Sequence, residues 1–257
     1  MEPSSMETGS ITDTGKRRDH NEDAFYISKN QDLFIVADGV GGHNAGEIAS
    51  GMAVSDIAAY LDENMAECEN EPRRIFGCIA DSLDLVNQSI YEKSNSDKSC
   101  FKMATTVVVM YVRQQTAYFA NIGDSRAYLL REGRLLQITE DHTLVNQYIK
   151  EGKMKKEDVK QDPNQSVMAR WAHTITRALG DSQQVEADFY MVEMKENDCF
   201  LLCSDGLYGE LEDERIAGIL REKSQEDAQK ACEALVEEAN RNGGGDNITV
   251  ILVRNGE

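Results

Sequence analysis

Apolar runs in this chain repeatedly begin or end on an aspartate. Asp38 follows Leu33-Phe-Ile-Val-Ala, Asp124 follows Tyr118-Phe-Ala-Asn-Ile-Gly, and Asp205 follows Cys199-Phe-Leu-Leu-Cys-Ser. Asp23 directly precedes Ala-Phe-Tyr-Ile, and Asp246 directly precedes Asn-Ile-Thr-Val-Ile-Leu-Val. Short unbroken runs of Val, Ile, Leu and Phe read as strands covered on both faces. Such sheets must lie between other layers, and their acidic residues can reach water only at strand ends. The five carboxylates are thereby delivered toward a common rim.

Two readings of these aspartates stand side by side. Asp-Gly is a favoured turn dipeptide, so each site alone is accounted for by turn chemistry. Clustered carboxylates, however, repel one another unless they are protonated or hold cations. An all-oxygen donor set suits Mg²⁺ or Mn²⁺ rather than zinc.

The rest of the pattern alternates strand runs with helices. A helix is expected from about Gly46 to Met65, with Ile48, Met52, Ala53, Ile57, Tyr60 and Leu61 on one face. A second begins at Pro72 and carries Ile75, Ile79, Leu83, Val86 and Ile90 at helical spacing. Strands are expected at Thr105 to Val112, Thr116 to Ile122 and Ala127 to Leu130, and Arg131-Glu-Gly-Arg134 reads as a hairpin turn into Leu135 to Ile138. Residues 140 to 172 are polar and weakly periodic, an insertion with a helix near 143 to 151. Strands at Phe189 to Met194 and Phe200 to Cys203 precede a helix over Asp227 to Asn240, stopped by three glycines, and a last strand over Asn247 to Val253. This order is that of an α+β layered domain, one unit over 1–257 with a flap insertion at about 140–175.

Charge and cysteines exclude several functions. Lys and Arg total 27 against 46 Asp and Glu, a formal charge of −19, which disfavours nucleic acid and anionic lipid as partners. No apolar run is long enough to span a membrane, and Met1 to Gly9 lacks the pattern of a signal peptide. The six cysteines form no Cys-x-x-Cys pair and sit in apolar stretches, as reduced thiols of a cytoplasmic protein do. Cys199 and Cys203 share one face of their strand, as core residues.

Gly39-Val-Gly-Gly-His-Asn-Ala-Gly46 lies beside these acids. It is neither a Walker loop nor a dinucleotide fingerprint, and reads as a tight strand-to-helix turn. Arg18 is the anion-binding candidate, because its planar fork of donors matches phosphate oxygens. Its position in Lys16-Arg-Arg18 equally fits a solvated surface arginine.

Taken together, the blocks resemble the metal-dependent serine/threonine protein phosphatases of type 2C, in their compact bacterial form. They are Thr12-Asp-Thr-Gly-Lys-Arg-Arg18, Asn21-Glu-Asp-Ala-Phe25, Ala37-Asp-Gly-Val-Gly-Gly-His43, Ala120-Asn-Ile-Gly-Asp-Ser-Arg126, Asp141-His-Thr-Leu, Thr176-Arg-Ala-Leu-Gly180, Leu202-Cys-Ser-Asp-Gly-Leu207 and Asp246-Asn-Ile-Thr-Val250. The resemblance implies a four-layer α/β/β/α sandwich with two central, mostly antiparallel sheets and a metal site at one rim. It implies two Mn²⁺ or Mg²⁺ ions, with Asp38 bridging them, the Gly39 carbonyl on one, and Asp205 and Asp246 completing the shell. Asp23 would act close by, with Glu22 beside it, and Asp124 would share a weaker third ion with Asp205. Arg18 would clamp the phosphate while a metal-bridging water attacks phosphorus in line. Substrates would be phosphoserine and phosphothreonine proteins, including a Ser/Thr kinase that the enzyme opposes, and the chain would act as a cytoplasmic monomer.

The sequence departs from the family pattern at two points. The position after the metal-site Asp-Gly, often a proton-donating His in eukaryotic members, is Val40. Met168-Ala-Arg-Trp-Ala-His-Thr174 looks longer than usual, and Trp171 there is either a flap anchor or a substrate contact. Two other readings stand beside the enzyme: a phosphatase-like scaffold, which would lack metal carboxylates, and the partner-switching branch, which lacks the clamping arginine. Cys68-Glu-Asn-Glu-Pro-Arg-Arg74 fits the Cys-x5-Arg pattern of cysteine-dependent phosphatases, but its two Glu and Pro disfavour a thiolate loop.

Overall fold

The computed structural model describes residues 6–41, 45–68, 70–155, 171 and 174–256. Two antiparallel sheets lie face to face. The first is ordered β1 (Met6–Asp13), β11 (Ile248–Asn255), β10 (Cys199–Cys203), β7 (Arg126–Arg131) and β8 (Arg134–Gln137). The second is ordered β2 (Asp23–Ile27), β3 (Leu33–Val40), β5 (Val107–Arg113), β6 (Thr116–Ile122) and β9 (Asp188–Glu193), with β4 (Ala104–Thr105) beside β3. Helices α1 (Ala45–Asn64) and α2 (Pro72–Ser96) cover the second sheet. Helices α5 (Asp213–Glu222) and α6 (Ala228–Asn242) cover the first. The short helices α3 (Leu144–Lys150) and α4 (Asp205–Tyr208) lie near one rim.

Three apolar cores separate the four layers, and strand alternation assigns each side chain to one of them. In β10, Cys199, Leu201 and Cys203 face α5 and α6, while Phe200 and Leu202 face the opposite sheet. In β3, Leu33, Ile35 and Ala37 face α1 and α2, while Phe34 and Val36 enter the inter-sheet core. Both faces are covered, so the strands read as unbroken apolar runs. All six cysteines are free and buried.

Local chemistry explains most boundaries. Pro72 occupies the start of α2, whose expected apolar stripe is buried. Asp227 caps α6 by accepting the Lys230 N–H at 2.8 Å. Glu132 and Gly133 both adopt positive φ, 52° and 75°, as a two-residue hairpin between β7 and β8 demands.

Several expectations change. The buried stripe of α1 runs through Ala45, Ala49, Ala53, Ile57 and Leu61, while Ile48 is exposed. Small side chains serve because the helix start approaches the β3 backbone closely: a Cβ on Gly39 would lie 2.2 Å from the Gly46 carbonyl oxygen. The strand expected over 105–112 is broken at Thr106, which turns to Asp38, taking its N–H on Oγ1 at 3.1 Å and donating its own N–H to its carbonyl at 2.9 Å. Three elements have no counterpart in the sequence reading: β1, which pairs with β11 over eight residues, the one-turn α4, and α5.

The segment 140–175, expected as a flap, is described in part. Its two ends meet at a bridge between Thr143 and Ile175. Trp171 packs edge-on against Tyr148 of α3, with ring centroids 5.6 Å apart, which favours the anchor over the substrate contact. Residues 156–170, 172 and 173, most of the long stretch before Thr174, lie outside the described residues, as does His43.

Candidate metal centre

The rim of the sandwich opens into a cavity of about 520 Å³ lined by Arg18, Glu22, Asp38, Gly39, Asp124, Asp205 and Asp246. Four elements deliver its aspartates. Asp38 ends the inter-sheet face of β3. Asp124 stands in the turn from β6 to β7. Asp205 opens α4 immediately after β10, and Asp246 precedes β11. Six of the seven expected site residues thus line one space.

The seventh, Asp23, lies behind it. Asp23 and Asp38 are direct partners in the β2–β3 register, so their side chains share the inter-sheet face. Ser204 donates to Asp23 Oδ2 at 2.7 Å, while Asp23 Oδ1 is buried with no hydrogen-bond partner among the described residues. Glu22, one residue earlier, reaches the cavity from the α1 side. Its Oε1 and the Gly39 carbonyl oxygen flank Gly46 so closely that a Cβ there would meet each at 2.8 Å.

Residues without a sequence-assigned role hold the loops in place. Asn247 accepts the Glu22 N–H at 2.8 Å and donates to the carbonyls of Thr14 and His20 at 2.9 and 2.8 Å. It therefore pins the loop that carries Arg18 to the turn that carries Asp246. Gly206 makes the same junction tight, since a Cβ there would lie 2.0 Å from the Asn247 carbonyl oxygen. Buried His142 accepts the Gly123 N–H on Nδ1 at 3.1 Å, which leaves Nε2 facing Asp188 at 3.3 Å. The Asp124 turn is thereby tied to the start of the 140–175 segment. Asn247 and His142 both sit inside the quoted sequence blocks, but only their tertiary partners reveal what they do.

Electrostatics mark the cavity as cation-seeking. Burial pushes Asp38 well above the usual carboxylate range, and repulsion from Asp23, Asp205, Asp124 and Asp246 adds to it. Burial raises Asp23 to about 7, against hydrogen bonds from Thr249 and Ser204 and with repulsion from Asp205 and Asp246. Among the described residues lining the cavity, Arg18 alone is basic, and it pairs with Asp246 Oδ2 at 2.7 Å. Among the described residues no three acidic, His or Cys side chains already close into a coordination cluster. The carboxylates line the cavity wall. Hard oxygens, an orphaned buried carboxylate oxygen and mutual repulsion together fit Mn²⁺ or Mg²⁺.

Known proteins give this rim a family. The profile of the family described as protein phosphatase 2C matches residues 9–248. The serine/threonine phosphatase stp of Listeria monocytogenes is 38% identical over 245 residues, covering 94% of this chain and 93% of that protein. The protein phosphatase PhpP of Streptococcus pneumoniae is 36% identical over 251 residues, covering 96% and 97%. Among solved structures, the S. agalactiae serine/threonine phosphatase superposes with a TM-score of 0.85 at 33% identity, covering 97% of this chain and 99% of that one. The catalytic domain of PstP, solved in complex with two manganese ions, superposes with a TM-score of 0.81 at 31% identity, covering 98% and 99%. With its sandwich, its acidic rim and its full-length similarity all in agreement, the chain belongs to the protein phosphatase 2C family.

Proposed function

We propose that the chain is a metal-dependent protein phosphatase that hydrolyses phosphoserine and phosphothreonine on proteins, with the acidic cavity as its active site. The observation that carries this reading is the convergence of Asp38, Asp124, Asp205 and Asp246, from four separate elements, on one cavity with Arg18 at its mouth. Asp38, the Gly39 carbonyl, Asp205 and Asp246 would hold two Mn²⁺ or Mg²⁺ ions. Asp124 would hold a weaker third with Asp205. Asp23 and Glu22 support this shell, Asp23 from behind Asp38 and Glu22 from the α1 side. When bound, the ions supply Lewis acidity that turns water into a nucleophile near neutral pH and offsets phosphoryl charge.

The protein's own side chains do the rest. Arg18 orients the phosphate with its donor fork and neutralises charge that develops on the equatorial oxygens. It leaves Asp246 to do so. Val40 lines the cavity but carries no titratable proton, so it offers the leaving group none. The layered sandwich acts as one phosphatase domain with 140–175 as its flap, working as a monomer in the cytoplasm. Its substrates include a Ser/Thr kinase whose action it reverses. No described helix is long and apolar enough to cross a membrane.

The test is hydrolysis of p-nitrophenyl phosphate and of a phosphopeptide panel with Mn²⁺, with and without excess chelator. Turnover should vanish on chelation and in Asp205→Asn. Turnover that persists in chelator would refute the metal mechanism.

A further inference from the structure

We propose that Tyr208 is a positioning residue that sets Asp124 against Asp205, and through them the weakest cation site; this rests on the metal-dependent reading above. Tyr208 closes the four-residue helix α4 that Asp205 opens. Its hydroxyl leaves that helix and donates to the Asp124 carbonyl oxygen at 2.9 Å. One side chain thereby spans the two carboxylate-bearing segments that would share the weak ion.

The phenol ring is itself held from its face. The Arg126 guanidinium lies 3.5 Å from the Tyr208 ring centroid. Arg126 cannot drift, because Asp141 grips it in a two-point fork, Nε to Oδ1 at 2.9 Å and Nη2 to Oδ2 at 2.6 Å. Its remaining arm donates to the Tyr128 hydroxyl at 2.7 Å, and Tyr128 passes a hydrogen bond on to Asp213 at 3.2 Å. Tyr208 is therefore fixed at its tip by a carbonyl and on its face by a cation whose plane is set elsewhere.

The arrangement matters because the two carboxylates it connects repel. Asp124 lies on a turn crossing from one sheet to the other, and Asp205 stands on a helix of one turn. The Tyr208 hydroxyl adds a direct tie between them, beside the hydrogen bonds that His142 makes to Gly123 in the Asp124 turn. Asp141 begins the flap, where its carbonyl also accepts from Asn146 at 3.0 Å, so the strut ties flap base, Asp124 and Asp205 into one unit.

The test compares wild type, Tyr208→Phe, Arg126→Lys and Asp124→Asn by titration with Mn²⁺ alone, followed by calorimetry and by electron paramagnetic resonance of free Mn²⁺. Thermal midpoints are measured in parallel. Tyr208→Phe keeps the ring and removes only the hydroxyl. It should weaken the weakest binding step about fivefold, the size of one neutral hydrogen bond, and leave the tighter steps unchanged. Arg126→Lys, which keeps the charge but loses the fork, should shift the same step in the same direction. Asp124→Asn should abolish it. A wild-type weak step in both Tyr208→Phe and Arg126→Lys would overturn the proposal while the metal reading stands. Equal weakening of every step with a lowered midpoint would also overturn it, since that marks a general structural role. A wild-type protein that binds no Mn²⁺ would remove the underlying reading, and the positioning role with it.

Discussion

Arg18 makes opposite contributions to metal binding and to catalysis, and Arg18→Ala separates them. Its guanidinium pairs with Asp246 at 2.7 Å, with side chains 47% and 35% exposed. A pair this open to solvent is worth about 0.2–1 kcal/mol. A cation that recruits Asp246 must break that pair and also approach a fixed positive charge. Removing Arg18 lifts both costs, so the first Mn²⁺ should bind about 1.4- to 5-fold tighter. Folding stability should change by less than about 1 kcal/mol, for the same reason. Catalysis should move the other way. Hydrogen bonds to charged groups contribute about 1.5–3 kcal/mol, so losing the phosphate fork should lower kcat/KM by about 10- to 150-fold at saturating Mn²⁺. Calorimetric Mn²⁺ titration and steady-state hydrolysis of p-nitrophenyl phosphate measure the two effects on one preparation. Weaker Mn²⁺ binding in Arg18→Ala would contradict the competition argument. An unchanged kcat/KM would contradict the clamp and revive the partner-switching reading, in which no arginine is needed.

Three further expectations concern the supports of the site. Asn247→Ala removes three hydrogen bonds from a side chain that is nearly buried, and should cost about 2–4 kcal/mol in urea denaturation; a loss below about 0.5 kcal/mol would show that the loop is pinned by other means. Gly206→Ala sets a Cβ 2.0 Å from a backbone oxygen, so α4 must shift; a destabilisation of about 1–3 kcal/mol with weakened Mn²⁺ binding is expected, and a wild-type response would mean the junction has slack. His142 is lowered from its usual 6.5 by burial first and by Arg177 second, against Asp188. The unfolded chain therefore takes up this proton before the folded one does, and the residue's contribution, full above about 6.5, is lost as pH falls toward the lowered folded value. His142→Gln should flatten the difference between denaturation midpoints at pH 7 and pH 5.5, and an identical pH slope in both proteins would count against a neutral, Gly123-bonded imidazole.

The parts of the fold that were legible in the sequence are those whose local pattern and tertiary role coincide. The strands β3, β5, β6 and β10 lie between two apolar layers, so burial on both faces left unbroken runs. Pro72 and the stripe of α2 declared that helix in the same way. The first strand, Met-Glu-Thr-Gly-Ser-Ile-Thr-Asp, lies at a sheet edge where only Gly9 is buried, so no apolar run announces it. Its pairing with β11 is a long-range fact with no local trace. Helix α5 does carry an apolar face in Ile216, Ala217, Ile219 and Leu220, but ten residues with an internal glycine give that face little length in which to repeat. In α1, Ala53, Ile57 and Leu61 are buried as expected, but close approach of the helix start to β3 selected Ala45 and Ala49 there and left Ile48 outside.

The same distinction explains which site residues the sequence could place. An aspartate at a strand end is locally visible, and Asp38, Asp124, Asp205 and Asp246 all reach the cavity. The pair Glu22-Asp23 is harder, because neighbours at the start of a strand point to opposite faces and only register decides which face is which. Pairing of Asp23 with Asp38 sends Asp23 into the inter-sheet space, where Ser204 receives it, and turns Glu22 toward α1 and the cavity mouth. A one-residue slip of β2 would exchange them, burying the longer side chain behind Asp38 and exposing the shorter at the mouth. What fixes the register is apolar: Phe25 and Ile27 share Asp23's face and pack into the inter-sheet core, whereas Ala24 and Tyr26 pack against the helices. The division of labour between two adjacent acids is thus set by hydrophobic residues two and four positions downstream, which take no part in the chemistry.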